Sequence, residues 1–145
     1  MIRQATADDI LDVVMLVKQF HKELKPPYRF DREFLMNQYK QSISDPRWFV
    51  WIAEVDGDIV GFLGAVTAPT LFSTDLQAVE LGWFMEKEHR NSREALALLI
   101  KYEQWAKAQG CKTINMGNLA TLSDLTPLYE RRGYKLYERT FLKEI

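Results

Sequence analysis

Two arginines lie three residues apart in the stretch EKEHRNSREALALLI, where a strand-like run gives way to a helical one. A helix N-terminus offers free N–H groups and a partial positive charge, and both favour a bound phosphate. Arg90 and Arg93 flank this helix start, and a guanidinium can bind phosphate oxygens in a bidentate manner. Asn91 and Ser92 add hydrogen-bonding groups, and the small Ala95 allows close approach. The spacing therefore predicts a diphosphate site built without glycine.

The same stretch also fits an ordinary capped helix. Asn91 is a preferred N-cap residue, and Glu94 three residues later would complete a capping box. Glu94 would in addition repel an anion at this position. Spacing alone leaves both interpretations open.

The first third of the chain predicts one strand and two helices. IRQAT is a short strand, and TADDILDVVMLVKQFHKEL is a helix that Thr6 and Asp9 would cap as a capping box. The prolines of KPPYRF end that helix, because proline cannot continue one. Asp31 would then cap the shorter helix DREFLMNQYKQSI.

The remainder alternates strands and helices. RWFVWIAEV and IVGFLGAVTA are strand-like runs joined by DGD, a strong hairpin signal, and AVELGWFME is a third. A long helix, SREALALLIKYEQWAKAQG, would end at Gly110, and a strand, CKTINMGN, follows. A short helix, DLTPLYERRG, would end at Gly133 before a final strand, YKLYERTFLKEI.

This order predicts a single α/β domain over residues 1–145, with a mixed sheet and helices on both faces. A strand–helix–strand unit makes its two strands parallel neighbours. The ligand cleft is expected where two such strands diverge at their carboxyl ends, beside the start of the long helix.

Composition limits the function. The net charge is −1, which gives no overall electrostatic reason to bind nucleic acid or an anionic membrane. One cysteine and two histidines argue against a disulfide framework and a metal site. The N-terminus has no signal-peptide pattern, and no apolar run is long enough for a membrane span. We therefore expect a cytoplasmic protein without a metal cofactor.

Two segments together resemble the GNAT acetyltransferase family. RNSREA is similar to the family's acetyl-CoA loop, Gln/Arg-x-x-Gly-x-Gly/Ala, and matches it at Arg90 and Ala95. PLYERRGYKLYERTFLKEI resembles the family's closing segment. Arg93 stands where the family usually has glycine, and in this it resembles phage and prophage members whose loop reads Arg-Gly-Ser-Arg-x-Ala. Under this resemblance the Arg93 guanidinium would contact the phosphate, in place of the close approach of backbone that glycine allows.

The resemblance implies a fold and a cofactor. The sheet would be mixed and mostly antiparallel, with six to seven strands and a V-shaped split between two parallel strands. Acetyl-CoA would lie in that split, with no metal. Its diphosphate would bind at the helix start, and its pantetheine arm would pair with the backbone of one strand. The implied cofactor-binding residues are Trp83, Phe84, Met85, Arg90, Asn91, Ser92, Arg93, Glu94, Ala95 and Asn118.

Two residues are candidates for proton transfer. Tyr129, in LYERRG, matches the family's general acid for the departing sulfur, and its alternative is a core tyrosine. Glu80, in AVELGWF, is the general-base candidate, and its alternative is a solvent-facing side chain. Strict strand alternation would place Glu80, Gly82 and Phe84 on one face and Leu81, Trp83 and Met85 on the other.

The resulting expectation is an acetyl-CoA-dependent N-acetyltransferase that transfers to a primary amine in a ternary complex. The acceptor would be a small molecule or a peptide, and Tyr28, Arg29 and Phe30 would line its site. The resemblance also implies a possible homodimer. The alternative is a catalytically silent protein with this fold that binds a ligand or has a structural role in a phage.

Overall fold

The computed structural model describes residues 1–145 and contains one five-stranded sheet. The strands follow one another across the sheet in chain order. The first three neighbouring pairs are antiparallel, and the last pair is parallel. The strands are β1 (Ile2–Gln4), β2 (Trp48–Val55), β3 (Asp58–Pro69), β4 (Leu76–Met85) and β5 (Thr113–Asn115).

Four α-helices accompany the sheet, and two short 3₁₀ helices, Ala7–Asp9 and Lys87–His89, precede the first and third of them. The α-helices are α1 (Ile10–Leu24), α2 (Arg32–Ser42), α3 (Arg93–Ala108) and α4 (Thr126–Arg131). None of the helices is both long and apolar enough to span a membrane.

Local signals set most of these boundaries. The Asp31 carboxylate accepts the Phe34 N–H at 3.0 Å and so caps α2, as the sequence predicts. Asp56 and Gly57 both have positive φ, which a tight β2–β3 hairpin requires. Gly110 and Gly133 also have positive φ and follow α3 and α4, where the chain must leave the helix.

Each face of the sheet carries its own apolar core. α3 and α4 pack on one face through Leu98, Leu99, Tyr102 and Tyr129, which contact β-strand residues such as Leu63. α1 packs on the other face, where Val13 and Leu16 meet Phe62 and Phe84. This burial of apolar surface fixes the two helical layers against the sheet.

The predicted final strand is absent, so the sheet has five strands instead of six or seven. Residues 135–145 make no sheet pairing, and the apolar side chains among them are mostly exposed, Phe141 by 94%. Leu136 and Tyr137 are adjacent, as are Phe141 and Leu142, so a strand here would divide its apolar side chains between both faces. The neighbouring β5 is only three residues long and offers a short edge for pairing.

Candidate active site

The cleft begins where β4 and β5 part. Parallel pairing joins Gln77 to Thr113, Ala78 to Ile114 and Val79 to Asn115, and then stops. β4 continues to Met85 with β3 on its other side. The carboxyl half of β4 therefore has one free edge, and this edge leads to the start of α3.

A β-bulge in β4 changes which face each side chain takes. Gly64 pairs with Gly82 and Ala65 pairs with Glu80, so Leu81 is an extra residue. Strict alternation would place Glu80 with Gly82 and Phe84, and that expectation is wrong. Glu80 instead lies on the α3–α4 face, where its carboxylate contacts Gly117.

The helix start differs from the predicted cap by one residue. Ser92, and not Asn91, is the N-cap of α3, and its hydroxyl accepts the Ala95 N–H at 3.1 Å. Asn91 has a φ of 62°, a left-handed conformation that asparagine tolerates better than most residues. Asparagine thus takes the backbone geometry for which glycine is the usual choice.

The backbone N–H groups of Asn91 and Arg93 have no acceptor within the protein. Both groups belong to the turn that opens α3, where the helix dipole adds partial positive charge. Glu94 lies in this first turn, but its carboxylate pairs with the Arg93 guanidinium at 3.1 Å and with the N-terminal amine at 3.7 Å. These two cations offset the negative charge that would oppose an anion.

The two arginines of the loop have different surroundings. Arg90 donates from Nε to the Met85 carbonyl at 2.9 Å, pairs with Glu23 at 2.5 Å and lies over the Phe84 ring. It ties the end of β4 to α1 and is held in place. The Arg93 side chain is 94% exposed and contacts only its neighbour Glu94, so its guanidinium is free to reach a ligand.

Two of the three predicted backbone contacts on β4 face the open edge. Glu86 donates its N–H to the Val60 carbonyl of β3, whereas the Met85 carbonyl accepts Arg90 on the opposite side. Since backbone groups alternate along a strand, Trp83 and Met85 face the cleft and Phe84 faces β3. The Trp83 indole N–H is also buried without a partner.

Glu80 and Tyr129 converge from different elements. The Glu80 carboxylate accepts the Gly117 N–H at 2.9 Å, and the Tyr129 hydroxyl donates to the Gly117 carbonyl at 2.8 Å. Gly117 follows β5 by two residues, directly past the end of the parallel pairing. The structure therefore brings both proton-transfer candidates to the point where the sheet splits.

Burial raises the pKa of the Glu80 carboxyl, and the hydrogen bond from Gly117 opposes this in part. Burial also raises the pKa of the Tyr129 phenol, and the nearby Glu80 charge raises it further. A carboxylate with a raised pKa is a stronger base, and a phenol with a raised pKa stays protonated at neutral pH. The shift of Glu80 suits its predicted role as a base, whereas the shift of Tyr129 makes the phenol a weaker acid as long as Glu80 is charged.

The Asn118 side chain closes a loop. Its amide donates to Asp124 at 2.9 Å and to Thr126 at 3.0 Å, and its carbonyl oxygen accepts the Leu125 N–H at 3.1 Å. These bonds join the end of β5 to the start of α4. The predicted contact of Asn118 with the coenzyme arm stays a prediction.

The sequence analysis did not single out Gly117, which lies inside the predicted strand CKTINMGN. Glycine within a strand is a weak signal for a close approach. His21 of α1 contacts the segment that follows the helix: its Nε2 lies 2.6 Å from the Tyr28 carbonyl oxygen, and its ring meets Phe30 edge-on. No group of three or more His, Cys, Asp or Glu residues is placed to hold a metal ion.

The mixed sheet thus splits beside the start of α3, and a carboxylate and a phenol lie at the split. The sequence profile of the Acetyltransferase (GNAT) family matches residues 17–134. The chain belongs to this family. It is 31% identical to human N-acetyltransferase 8 over 104 residues, which are 70% of this chain and 45% of that protein. The chain thus spans less than half the length of that curated relative.

Solved structures share the fold. A transcriptional regulator from Bacillus halodurans C-125 superposes with a TM-score of 0.78 at 19% identity, over 100% of this chain and 99% of that one. A predicted acetyltransferase from Clostridium acetobutylicum, solved with acetyl-CoA, gives 0.77 at 17% identity, over 99% and 95%. At these identities the likeness concerns the fold alone.

Proposed function

We propose that the chain is an acetyl-CoA-dependent N-acetyltransferase that moves an acetyl group directly to a primary amine in a ternary complex. One observation carries this proposal: Glu80 and Tyr129 meet at Gly117, where β4 and β5 separate. A base and an acid beside the free edge of β4 can serve the two proton transfers of amide formation from a thioester. Membership of the GNAT family supports the same chemistry.

The turn before α3 would hold the diphosphate of the coenzyme. The N–H groups of Asn91 and Arg93 lack protein acceptors, and the Arg93 guanidinium is exposed beside them. Ser92 and Ala95 shape the first turn, because the cap bond between them fixes where these N–H groups point. Arg90 supports the turn from β4 and α1 instead of meeting the ligand.

The free edge of β4 would hold the pantetheine arm and the thioester. Trp83 presents both backbone groups to this edge, and Met85 presents its N–H, since Arg90 occupies the Met85 carbonyl. An N–H on this edge can also stabilise the thioester oxygen as it gains negative charge. Holding both reactants in register supplies much of the rate in such a reaction.

The reaction moves two protons. The amine nitrogen loses one as it bonds to the thioester carbon, and the Glu80 carboxylate accepts that proton, directly or through water. The carbon–sulfur bond then breaks, the electron pair leaves with sulfur, and the Tyr129 hydroxyl donates its proton to the sulfur. Water afterwards reprotonates Tyr129 and deprotonates Glu80. The products are an amide and a free thiol.

The protonation states of Glu80 and Tyr129 are coupled in the direction that favours the proposed reaction. The negative charge of Glu80 contributes to the raised pKa of Tyr129. When Glu80 takes the amine proton, that charge disappears and the phenol becomes a stronger acid. The step that consumes the base therefore favours the step that uses the acid.

The second candidate is a catalytically silent protein of this family that has a binding or structural role. The glycine-free loop favours it, because Arg93 stands where the family usually has glycine and Asn91 stands where the phage and prophage loop has it. The same loop, RNSREA, supports a proposed relation to phage and prophage members, because it shares arginine at position 93 with them.

Thermal unfolding with acetyl-CoA, combined with a thiol-release assay on a panel of primary amines, tests the proposal. A ligand present at 100 times its Kd stabilises the folded state by about 2.7 kcal/mol, which raises the Tm by several degrees. We expect this shift together with amine-dependent release of thiol. A shift without thiol release from any amine would favour the silent protein. No shift at millimolar acetyl-CoA would refute the enzyme and would also favour the silent protein.

A further inference from the structure

One residue, Gly117, joins the two groups assigned to proton transfer. Its N–H donates to the Glu80 carboxylate at 2.9 Å, and its carbonyl accepts the Tyr129 hydroxyl at 2.8 Å. Glu80 comes from β4 and Tyr129 from α4, so no shared element sets their separation. The backbone of Gly117 provides the only hydrogen bond of each side chain within the protein.

We propose that Gly117 is a positioning residue for acetyl transfer, because its two backbone hydrogen bonds hold the Glu80 carboxylate and the Tyr129 hydroxyl at a fixed separation. This inference rests on the proposed function. It assigns to Gly117 no contact with the substrate. Gly117 acts through Glu80 and Tyr129.

Close approach, and not backbone conformation, explains why this residue is glycine. The φ of Gly117 lies outside the left-handed region, so other residues could adopt its backbone. A Cβ atom placed on Gly117 would lie 3.0 Å from Oε2 of Glu80. An alanine would therefore push the carboxylate away from the N–H that holds it.

The proton coupling described above depends on this separation. The hydrogen bond from Gly117 lowers the pKa of Glu80 against the rise caused by burial. Two further titratable groups face this region: Tyr102 of α3, whose pKa burial and the Glu80 charge raise, and Tyr134, whose ring lies 5.6 Å from that of Tyr129. Displacing Glu80 would weaken the opposing hydrogen bond, so the pKa of Glu80 would rise further.

Gly117→Ala, compared with Gly64→Ala, tests the inference through steady-state kinetics across a range of pH. Gly64 is a matched control, because a Cβ there would lie 4.0 Å from its nearest neighbour, the Gly82 carbonyl oxygen. We expect Gly117→Ala to lower kcat by about tenfold or more and to change the KM for acetyl-CoA by less than about twofold. In Gly117→Ala, the fall of kcat on the acidic side of its pH profile should move to higher pH. Gly64→Ala should match the parent in kcat and in its pH profile.

If the parent is active and the Gly117→Ala variant has the same kcat and the same pH profile of kcat, the inference is overturned. A second readout does not depend on activity: the Gly117 amide resonance of the parent, followed by NMR as pH is varied. It should shift as Glu80 titrates, and Glu80→Gln should remove that shift. A Gly117 amide resonance that does not change with pH would overturn the inference. A parent that shows this amide shift but has no turnover would refute the proposed function, and with it the role of the two Gly117 hydrogen bonds in catalysis.

Discussion

Arg93→Ala should weaken acetyl-CoA binding while leaving the fold intact. A hydrogen bond to a charged group contributes about 1.5–3 kcal/mol, but the Arg93 side chain is 94% exposed and solvent screens its charge. We therefore expect a loss of about 1 kcal/mol, which is about a fivefold increase in Kd. The loss should shrink as salt rises from about 0.05 M to 0.5 M, because exposed charges are screened over shorter distances.

Isothermal titration of acetyl-CoA measures this loss, and Arg47→Ala is the matched control. Arg47 is also exposed, by 73%, and also pairs with a carboxylate close in sequence, Asp45. It lies in the turn before β2, so its removal should leave Kd unchanged. An Arg93→Ala variant that binds acetyl-CoA as tightly as the parent at low salt would refute the idea that a guanidinium replaces glycine here.

Three further predictions concern stability, measured as the free energy of unfolding in urea. Asn91→Val should cost about 1–2 kcal/mol because a β-branched residue does not accept a φ of 62°, and Asn91→Gly should cost nothing; equal costs would contradict this. Leu98→Ala should cost about 3 kcal/mol, since Leu98 is fully buried, and a loss below about 1 kcal/mol would contradict the packing. The Arg3 guanidinium holds the pKa of Asp9 well below its usual range. Asp9 therefore stabilises the fold above about pH 4, and this contribution is lost as pH falls. Asp9→Asn should cost about 2 kcal/mol at neutral pH, with a difference from the parent that narrows below about pH 4; a constant difference would contradict the sign.

Local chemistry explains what the sequence predicted well. The Asp31 cap, the Asp56–Gly57 turn and the stop at Gly110 depend on residues within a few positions of one another. Each has a conformational preference strong enough to be read without the rest of the chain. The order of helices and strands up to α4 follows from such signals.

Contacts between distant segments explain the errors. The bulge at Leu81 arises in the pairing of β4 with β3, and it moves Glu80 to the opposite face from the one that alternation predicts. The two hydrogen bonds of Gly117 form only when the end of β5 and α4 both lie beside β4, and no short motif encodes that arrangement. The cap of α3 is the exception, because its cause is local: Asn91 takes the left-handed turn, and the adjacent Ser92 becomes the N-cap.

The central claim is that acetyl-CoA binds along the free edge of β4 and on the turn that opens α3. Backbone amide NMR with added acetyl-CoA tests it most directly. We expect the largest shifts at Trp83, Met85, Asn91 and Arg93, with little change at Phe49 of β2, two strands away from β4. Saturable binding that leaves those four amides unmoved would contradict the account.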